Sequence, residues 1–346
     1  MAAAETKTVF LTGVSGFIAK HIALQLLNAG YGVRGSVRDM ARADEVKAAL
    51  KPGLADPGAV DERLRFVALD LGKDEGWDSA IEGADILMHT ASPFPLVQPK
   101  DEESVIRPAV EGALRAFKSA RQAGIRRVVM TSSSTAIMYK PLEPGRISYN
   151  ESDWTEPGNP AATPYVKSKI MAEKAAWDFV EADAREMALT VIHPAFVLGP
   201  PLDRTLNTSL KVVRRFLKGT DPANPRVGFP CVDVRDIAAM HVKALSVPDS
   251  IGKRVLGSDR FLWFSDMARI LKTAYPERRI STRTAPDWFI RVLSLVDPAV
   301  RTITPTLGLQ QTLSAARAKE LFGMQFIDAE ESLLASAAAL VAHGRA

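Results

Sequence analysis

Thr8–Ala19 reads TVFLTGVSGFIA, and this stretch decides the fold. Thr8 to Thr12 is an apolar, β-branched run of strand length that stops at Gly13. From Phe17 to Asn28 the apolar residues Ile18, Ile22, Leu24, Leu26 and Leu27 recur mainly at helical spacing, and Gly30 supplies a stop. A strand that turns through glycines into a helix leaves unpaired N–H groups at the helix N-terminus, where a phosphate can be held. Glycines there also let the backbone approach a pyrophosphate closely. Gly13, Ser15, Gly16, Phe17 and Ile18 are therefore candidate dinucleotide contacts. Glycines in a plain strand-to-helix turn would read similarly, and the spacing is G-x-x-G-x-x-A rather than G-x-G-x-x-G.

Outward from this unit, strands alternate with helices. Tyr31–Val37, Arg65–Leu69 and Ile86–Thr90 read as strands, a fifth begins at Val128–Met130, and Val191 and Ile192 belong to a sixth. Asp44–Leu50 and Ser104–Ala123 read as helices between them. The alternation predicts an α/β protein with a Rossmann-type doubly wound parallel sheet. Beyond Gly199 the pattern changes. Gly199–Asp203 and Gly219–Pro230 are rich in Pro and Gly, and the recognisable later elements are helical, at Phe264–Thr273, Ala315–Phe322 and Glu330–Val341. We expect residues 1–199 to form the nucleotide-binding domain, with 231–258 returning to it. Residues 200–230 and 259–346 are expected to form a smaller, mostly helical C-terminal substrate lobe.

With 346 residues, 47% hydrophobic and 24% charged, the composition excludes a disordered, collagen-like or low-complexity protein. Cys231 is alone, so no internal disulfide can form, and no Cys/His cluster has metal-ligand spacing; no metal is expected. The net charge of +4 is spread along the chain without a basic run, which argues against a nucleic-acid partner. Met1–Lys7 has no apolar export segment, and no stretch of 18 apolar residues occurs. The expectation is a cytoplasmic protein without a membrane partner, monomeric or homodimeric.

The second strand ends Val33-Arg34-Gly35-Ser36-Val37-Arg38. An NAD enzyme usually has a carboxylate there for the ribose 2′-hydroxyl, whereas a guanidinium suits a 2′-phosphate. Alternation puts Arg34, Ser36 and Arg38 on one side. We read NADP(H), with Arg38 as principal contact and Arg42 as a weaker one; Asp39 could still serve a ribose.

Thr163-Pro164-Tyr165-Val166-Lys167-Ser168-Lys169 opens a helix, because Thr163 can cap it and Pro164 fits its first turn. Tyr165 and Lys169 then share a face, one turn apart. An ammonium beside the phenol should lower its pKa toward neutrality, letting it pass a proton to or from a carbonyl oxygen. Upstream, Val128–Ser134 (VVMTSSS) is a strand ending in hydroxyls, which face the ligand crevice of an open α/β sheet and can hold a substrate oxygen.

These residues together resemble the extended short-chain dehydrogenases/reductases, specifically the branch of dihydroflavonol reductases, cinnamoyl-CoA reductases and microbial aldehyde and ketone reductases. The matching segments are TGVSGFIA (Thr12–Ala19), VRGSVRD (Val33–Asp39), LDL (Leu69–Leu71), HTASP (His89–Pro93), TSSS (Thr131–Ser134), YVKSK (Tyr165–Lys169), HPAFVLGP (His193–Pro200) and VDVRD (Val232–Asp236). The resemblance implies that Ser133, Tyr165 and Lys169 are catalytic, with Ser132 and Ser134 as neighbours that could be confused with Ser133. It also implies that Lys169 bridges the nicotinamide ribose, that Asp70 and Leu71 meet the adenine, and that Ala91 and Ser92 line the cofactor trough. Pro194 and Val197 would meet the nicotinamide carboxamide, and His193 is a strand-end residue.

The N-W-Y-C-Y-G-K signature of cinnamoyl-CoA reductases is missing, and Met138 stands where plant flavonoid reductases place a polar residue. Methionine offers an adaptable apolar wall. With Phe94, Pro95, Tyr139 and Phe196 as neighbours, it suggests a hydrophobic aldehyde or ketone. The activity expected is an NADPH-dependent carbonyl reductase, in reverse an alcohol dehydrogenase, with Tyr165 as general acid. Alternatives are a nucleotide-sugar epimerase or dehydratase, or a hydroxysteroid dehydrogenase, of the same superfamily. A non-catalytic NADP-sensing regulator is disfavoured because both Tyr165 and Lys169 are present.

Overall fold

The apolar runs form one seven-stranded parallel sheet and the segment around Cys231 a second, three-stranded one. The structure, a computed structural model, describes residues 6–92 and 101–346. In chain order the first part comprises β1 (Thr8–Leu11), α1 (Phe17–Asn28), β2 (Gly32–Val37), α2 (Ala43–Leu50), α3 (Ala59–Arg63), β3 (Leu64–Ala68), α4 (Trp77–Ile81) and β4 (Ile86–His89). It continues with α5 (Glu103–Gln122), β5 (Arg127–Thr131), α6 (Pro164–Asp183) and β6 (Ala188–Pro194). The large sheet runs β3-β2-β1-β4-β5-β6 and ends on β9 (Lys253–Gly257), which pairs with β6. Its order reverses between β1 and β4, where Leu11 lies opposite Met88. Ligands of open parallel sheets bind in the crevice beyond the strand ends at such a reversal.

Alternate residues of each strand feed different layers, as the two-residue period of a strand requires. Val9, Leu11, Met88, Val129 and Ile192 pack with Ile22 and Leu26 of α1. Phe10, Leu87, Val128 and Val191 pack with Phe117 of α5 and with Ala176 and Phe179 of α6. Both sides of the sheet are covered, so the strands are apolar nearly throughout.

The remaining elements are β7 (Phe196–Leu198), α7 (Thr208–Lys218), β8 (Gly228–Asp233), α8 (Val234–Ala244), β10 (Phe261–Trp263) and α9 (Phe264–Ala274). They are followed by α10 (Asp287–Leu293), α11 (Pro298–Ile303), α12 (Ala316–Phe322) and α13 (Ala329–Ala342). β10-β8-β7 form the small sheet, whose core joins Leu198, Phe216, Cys231, Leu262, Leu271 and Leu333. α12 instead gives Ala318 and Phe322 to the core of the large sheet. Sequence periodicity did not reveal α3, α4, β7 or β10, because three to five residues are too few to display a period. Among the described residues no helix is long and apolar enough to cross a membrane.

Candidate active site

The turn after β1 is tied to its two neighbours by hydroxyls, one from β2 and one of its own. Gly13 N donates to Ser36 Oγ at 2.9 Å, and Val14 N to the Ser36 carbonyl at 3.0 Å. Thr12 Oγ1 accepts from Thr90 N and Ala91 N, both at 3.0 Å, and lies 3.1 Å from His89 Nδ1. Gly13 takes φ +66°, where a side chain is strained. Gly16 stands at the N-cap of α1 without a side chain to cap it, and the first turn holds no carboxylate. The positive end of α1 is thus free to meet an anion. A cradle built from glycines, hydroxyls and uncapped amides fits a dinucleotide pyrophosphate.

A cavity of about 940 Å³ opens over this turn. It is bordered by Gly13, Ser15, Gly16, Phe17 and Ile18, by Arg38, Asp70 and Leu71, and by Ala91, Ser92, Ser133, Tyr165 and Val197. A smaller hollow of about 210 Å³, sharing Ile18, Ser92, Ser133, Tyr165 and Val197 with it, reaches Lys169 and Pro194. Apart from Arg42, the weaker candidate, the residues expected from the sequence to be catalytic or to hold the cofactor therefore border one of two adjoining spaces.

The basic residues of the second strand separate. Arg38 is exposed at the cavity wall. Arg34 donates to the carbonyls of Ala80 and Glu82 at the end of α4 instead. Arg42 is paired with Glu45 at 2.8 Å. The Asp39 carboxylate accepts from Ala41 N at 2.9 Å and caps a short 3-10 turn, outside the cavity lining. Arg38 alone of these four residues borders the cavity, an arrangement that suits a phosphate better than a ribose hydroxyl.

Thr163 Oγ1 accepts from Val166 N at 3.4 Å and Pro164 opens α6, so Tyr165 and Lys169 project from its first turns. Tyr165 and Ser133 border both spaces, and Ser133 Oγ accepts from Thr135 N at 3.2 Å and from Thr135 Oγ1 at 2.9 Å. Of the neighbouring serines, Ser132 turns away and donates to Glu173 at 2.6 Å. Lys169 Nζ lies 6.0 Å from the centre of the Tyr165 ring. One expectation is corrected: the Tyr165 phenol is not lowered toward neutrality. Burial pushes it up to about 12, with the neighbouring Ser133 acting the other way. Burial also lowers Lys169 to about 8.

Met138, Tyr139 and Phe196 border the cavity as expected from the sequence, while Phe94 and Pro95 lie outside the described residues. Residues from distant segments complete the wall. Phe229 of β8 stacks on Phe196 with ring centres 4.7 Å apart, and Leu206 and Ile303 join them. Sequence reasoning also missed the buried group around Glu173, one turn beyond Lys169. The spacing was visible, but an acidic residue there reads as an exposed partner on a helix.

The model of the family described as NAD dependent epimerase/dehydratase matches residues 9–256. Cinnamoyl-CoA reductase 1 of Arabidopsis thaliana is 34% identical, over 80% of this chain and 77% of the relative. The NADPH-dependent methylglyoxal reductase of Saccharomyces cerevisiae is 29% identical, over 94% of this chain and 96% of the relative. The crystal structure of yeast methylglyoxal/isovaleraldehyde reductase complexed with NADPH superposes with a TM-score of 0.79 at 28% identity, covering 98% of this chain and all of that one, 100%.

Proposed function

We propose that this chain, which belongs to the NAD-dependent epimerase/dehydratase family and to the extended short-chain dehydrogenases/reductases, reduces hydrophobic aldehydes or ketones with NADPH. It is an NADP-dependent oxidoreductase acting on carbonyl and alcohol groups. The observation that carries the finer reading is that Ser133 and Tyr165 border both spaces together, between the glycine cradle and an aromatic and aliphatic wall.

When bound, NADPH would supply hydride chemistry at the carbonyl carbon. Ser133 holds the carbonyl oxygen by hydrogen bond, and Tyr165 gives its phenolic proton to that oxygen as negative charge develops there. Burial keeps Tyr165 protonated at neutral pH, the form a general acid needs. The Lys169 ammonium limits the charge left on the phenolate, and in the reverse direction Tyr165 takes the proton back. Gly13, Ser15, Gly16, Phe17 and Ile18 would cradle the pyrophosphate, and Arg38 would meet the 2′-phosphate. Asp70 and Leu71 would hold the adenine, Ala91 and Ser92 would line the trough, and Pro194 and Val197 would hold the nicotinamide. Met138, Phe196 and Phe229 offer the substrate apolar surface, with the Tyr139 ring beside them.

Steady-state oxidation of NADPH and of NADH against aldehydes, ketones and flavonoids tests the proposal. Turnover with NADPH on hydrophobic carbonyls is expected. A folded protein that binds a cofactor but oxidises neither, and copurifies with one released only on denaturation, would instead be an epimerase or dehydratase.

A further inference from the structure

Tyr165, Lys169 and Glu173 follow one another at single-turn spacing along one face of α6. Glu173 has no exposed surface, and its carboxylate is held by four donors. Oε2 accepts from Ser132 Oγ at 2.6 Å at the end of β5 and hydrogen-bonds His193 Nε2 at 2.8 Å on β6. Oε1 accepts from Arg254 Nε at 2.7 Å on β9 and from Trp177 Nε1 at 3.4 Å on α6 itself. Arg254 is fixed in turn: its guanidinium lies 3.7 Å from the centre of the Trp154 ring and donates to the carbonyls of Glu151 at 2.8 Å and Asp153 at 2.6 Å.

An ionised carboxylate is costly to bury, and burial alone would have favoured a neutral residue here. The Glu173 donors keep it charged, at about 2, through His193 and Arg254. One turn back on the same helix stands Lys169, which is itself buried and so is driven to lose its proton. Around the lysine stand Tyr165 on its own helix, Ser133 just beyond β5 and His89 from β4; burial lowers His89 to about 3, which leaves its ring uncharged. Glu173 is the carboxylate that opposes the discharge of Lys169.

We propose that Glu173 is a positioning residue for the reaction, the buried counter-charge that holds Lys169 as an ammonium beside Tyr165. This inference rests on the reading of Lys169 as the cation that assists the phenol. With Glu173 neutral, the amine discharges at lower pH and the phenolate loses its stabilising charge.

Glu173→Gln tests it, since the amide keeps the size and the acceptor for Ser132. Acetylation of Lys169 by acetic anhydride, followed by peptide mass spectrometry across pH, reads the titration of this one amine in the protein without cofactor. The midpoint should fall by at least one pH unit in Glu173→Gln, a tenfold loss in proton affinity, and the alkaline limb of NADPH oxidation should move with it. Arg254→Gln, which removes a cation competing for the same carboxylate, should move the midpoint upward. An unmoved midpoint in either folded variant overturns the proposal, as does a loss of kcat that is uniform across pH. Glu173→Asp keeps the charge at greater distance and should give a smaller fall; it decides the matter if neither other variant folds, an unmoved midpoint again overturning the proposal. Lys169→Met separates the two readings: retained turnover in that variant would remove Lys169 from catalysis whatever Glu173 does to its titration.

Discussion

Gly13 and Ala91 approach so closely that a Cβ on Gly13 would stand 2.9 Å from the Ala91 Cβ. The contact joins the turn after β1 to the segment leaving β4, at the reversal of strand order. Gly13→Ala would add this clash to a left-handed backbone that costs an L-residue about 1–2 kcal/mol. We expect a lowered Tm and at least tenfold weaker NADPH binding, measured by fluorescence titration. Unchanged affinity would mean that the turn does not hold the pyrophosphate.

Tyr165→Phe removes the phenolic proton and keeps the ring. General acid catalysis contributes roughly 10²–10⁴-fold, so kcat should fall by that much while the Kd for NADPH stays within a few fold. Turnover close to that of the unaltered protein would reject Tyr165 as the acid.

Arg38 borders the cavity exposed, whereas Asp39 and Arg42 are occupied locally. A hydrogen bond to a charged group is worth about 1.5–3 kcal/mol, so Arg38→Ala should weaken NADPH binding by roughly 10- to 100-fold. NADH binding should be nearly unaffected. Equal losses for both cofactors would show that Arg38 does not meet the 2′-phosphate.

Burial lowers His21 and His241 to about 4 and His89 to about 3. Their folded-state values lie below the unfolded value near 6.5, so on acidification the unfolded chain takes up protons first. The stability these neutral rings contribute is complete above pH 6.5 and is lost as pH falls toward 4. Urea unfolding at pH 5 should give a free energy lower than at pH 7 by a few kcal/mol. A flat profile between those values would contradict the burial of charge-free histidines.

Much of the sheet was legible because its signals are local. Thr8–Asn28 contains a strand, a glycine turn and a helix in contiguous residues, and β1 and α1 follow that reading within a residue. Short elements such as β7 and α4 carried no period and acquire their form only from the neighbours they pair or pack with. In the candidate site, the spacing of Tyr165 and Lys169 put them on one helical face before any contact was known. The same rule is silent on Glu173, because spacing along a helix says which residues are neighbours but not whether that face is wet.

The sequence by itself determined the strand–turn–helix unit, the order of the elements and the Tyr165–Lys169 pair, all of which depend on residues within a few turns of one another. The tertiary structure alone decided that Arg34 and Arg42 are drawn to partners outside the cavity that Arg38 borders, and that Phe229 completes the wall beside Phe196. It also decided that Tyr165 is pushed up rather than down. A proton affinity is set by desolvation and by charges from every strand packed around the group, and those distances do not exist until the chain has folded.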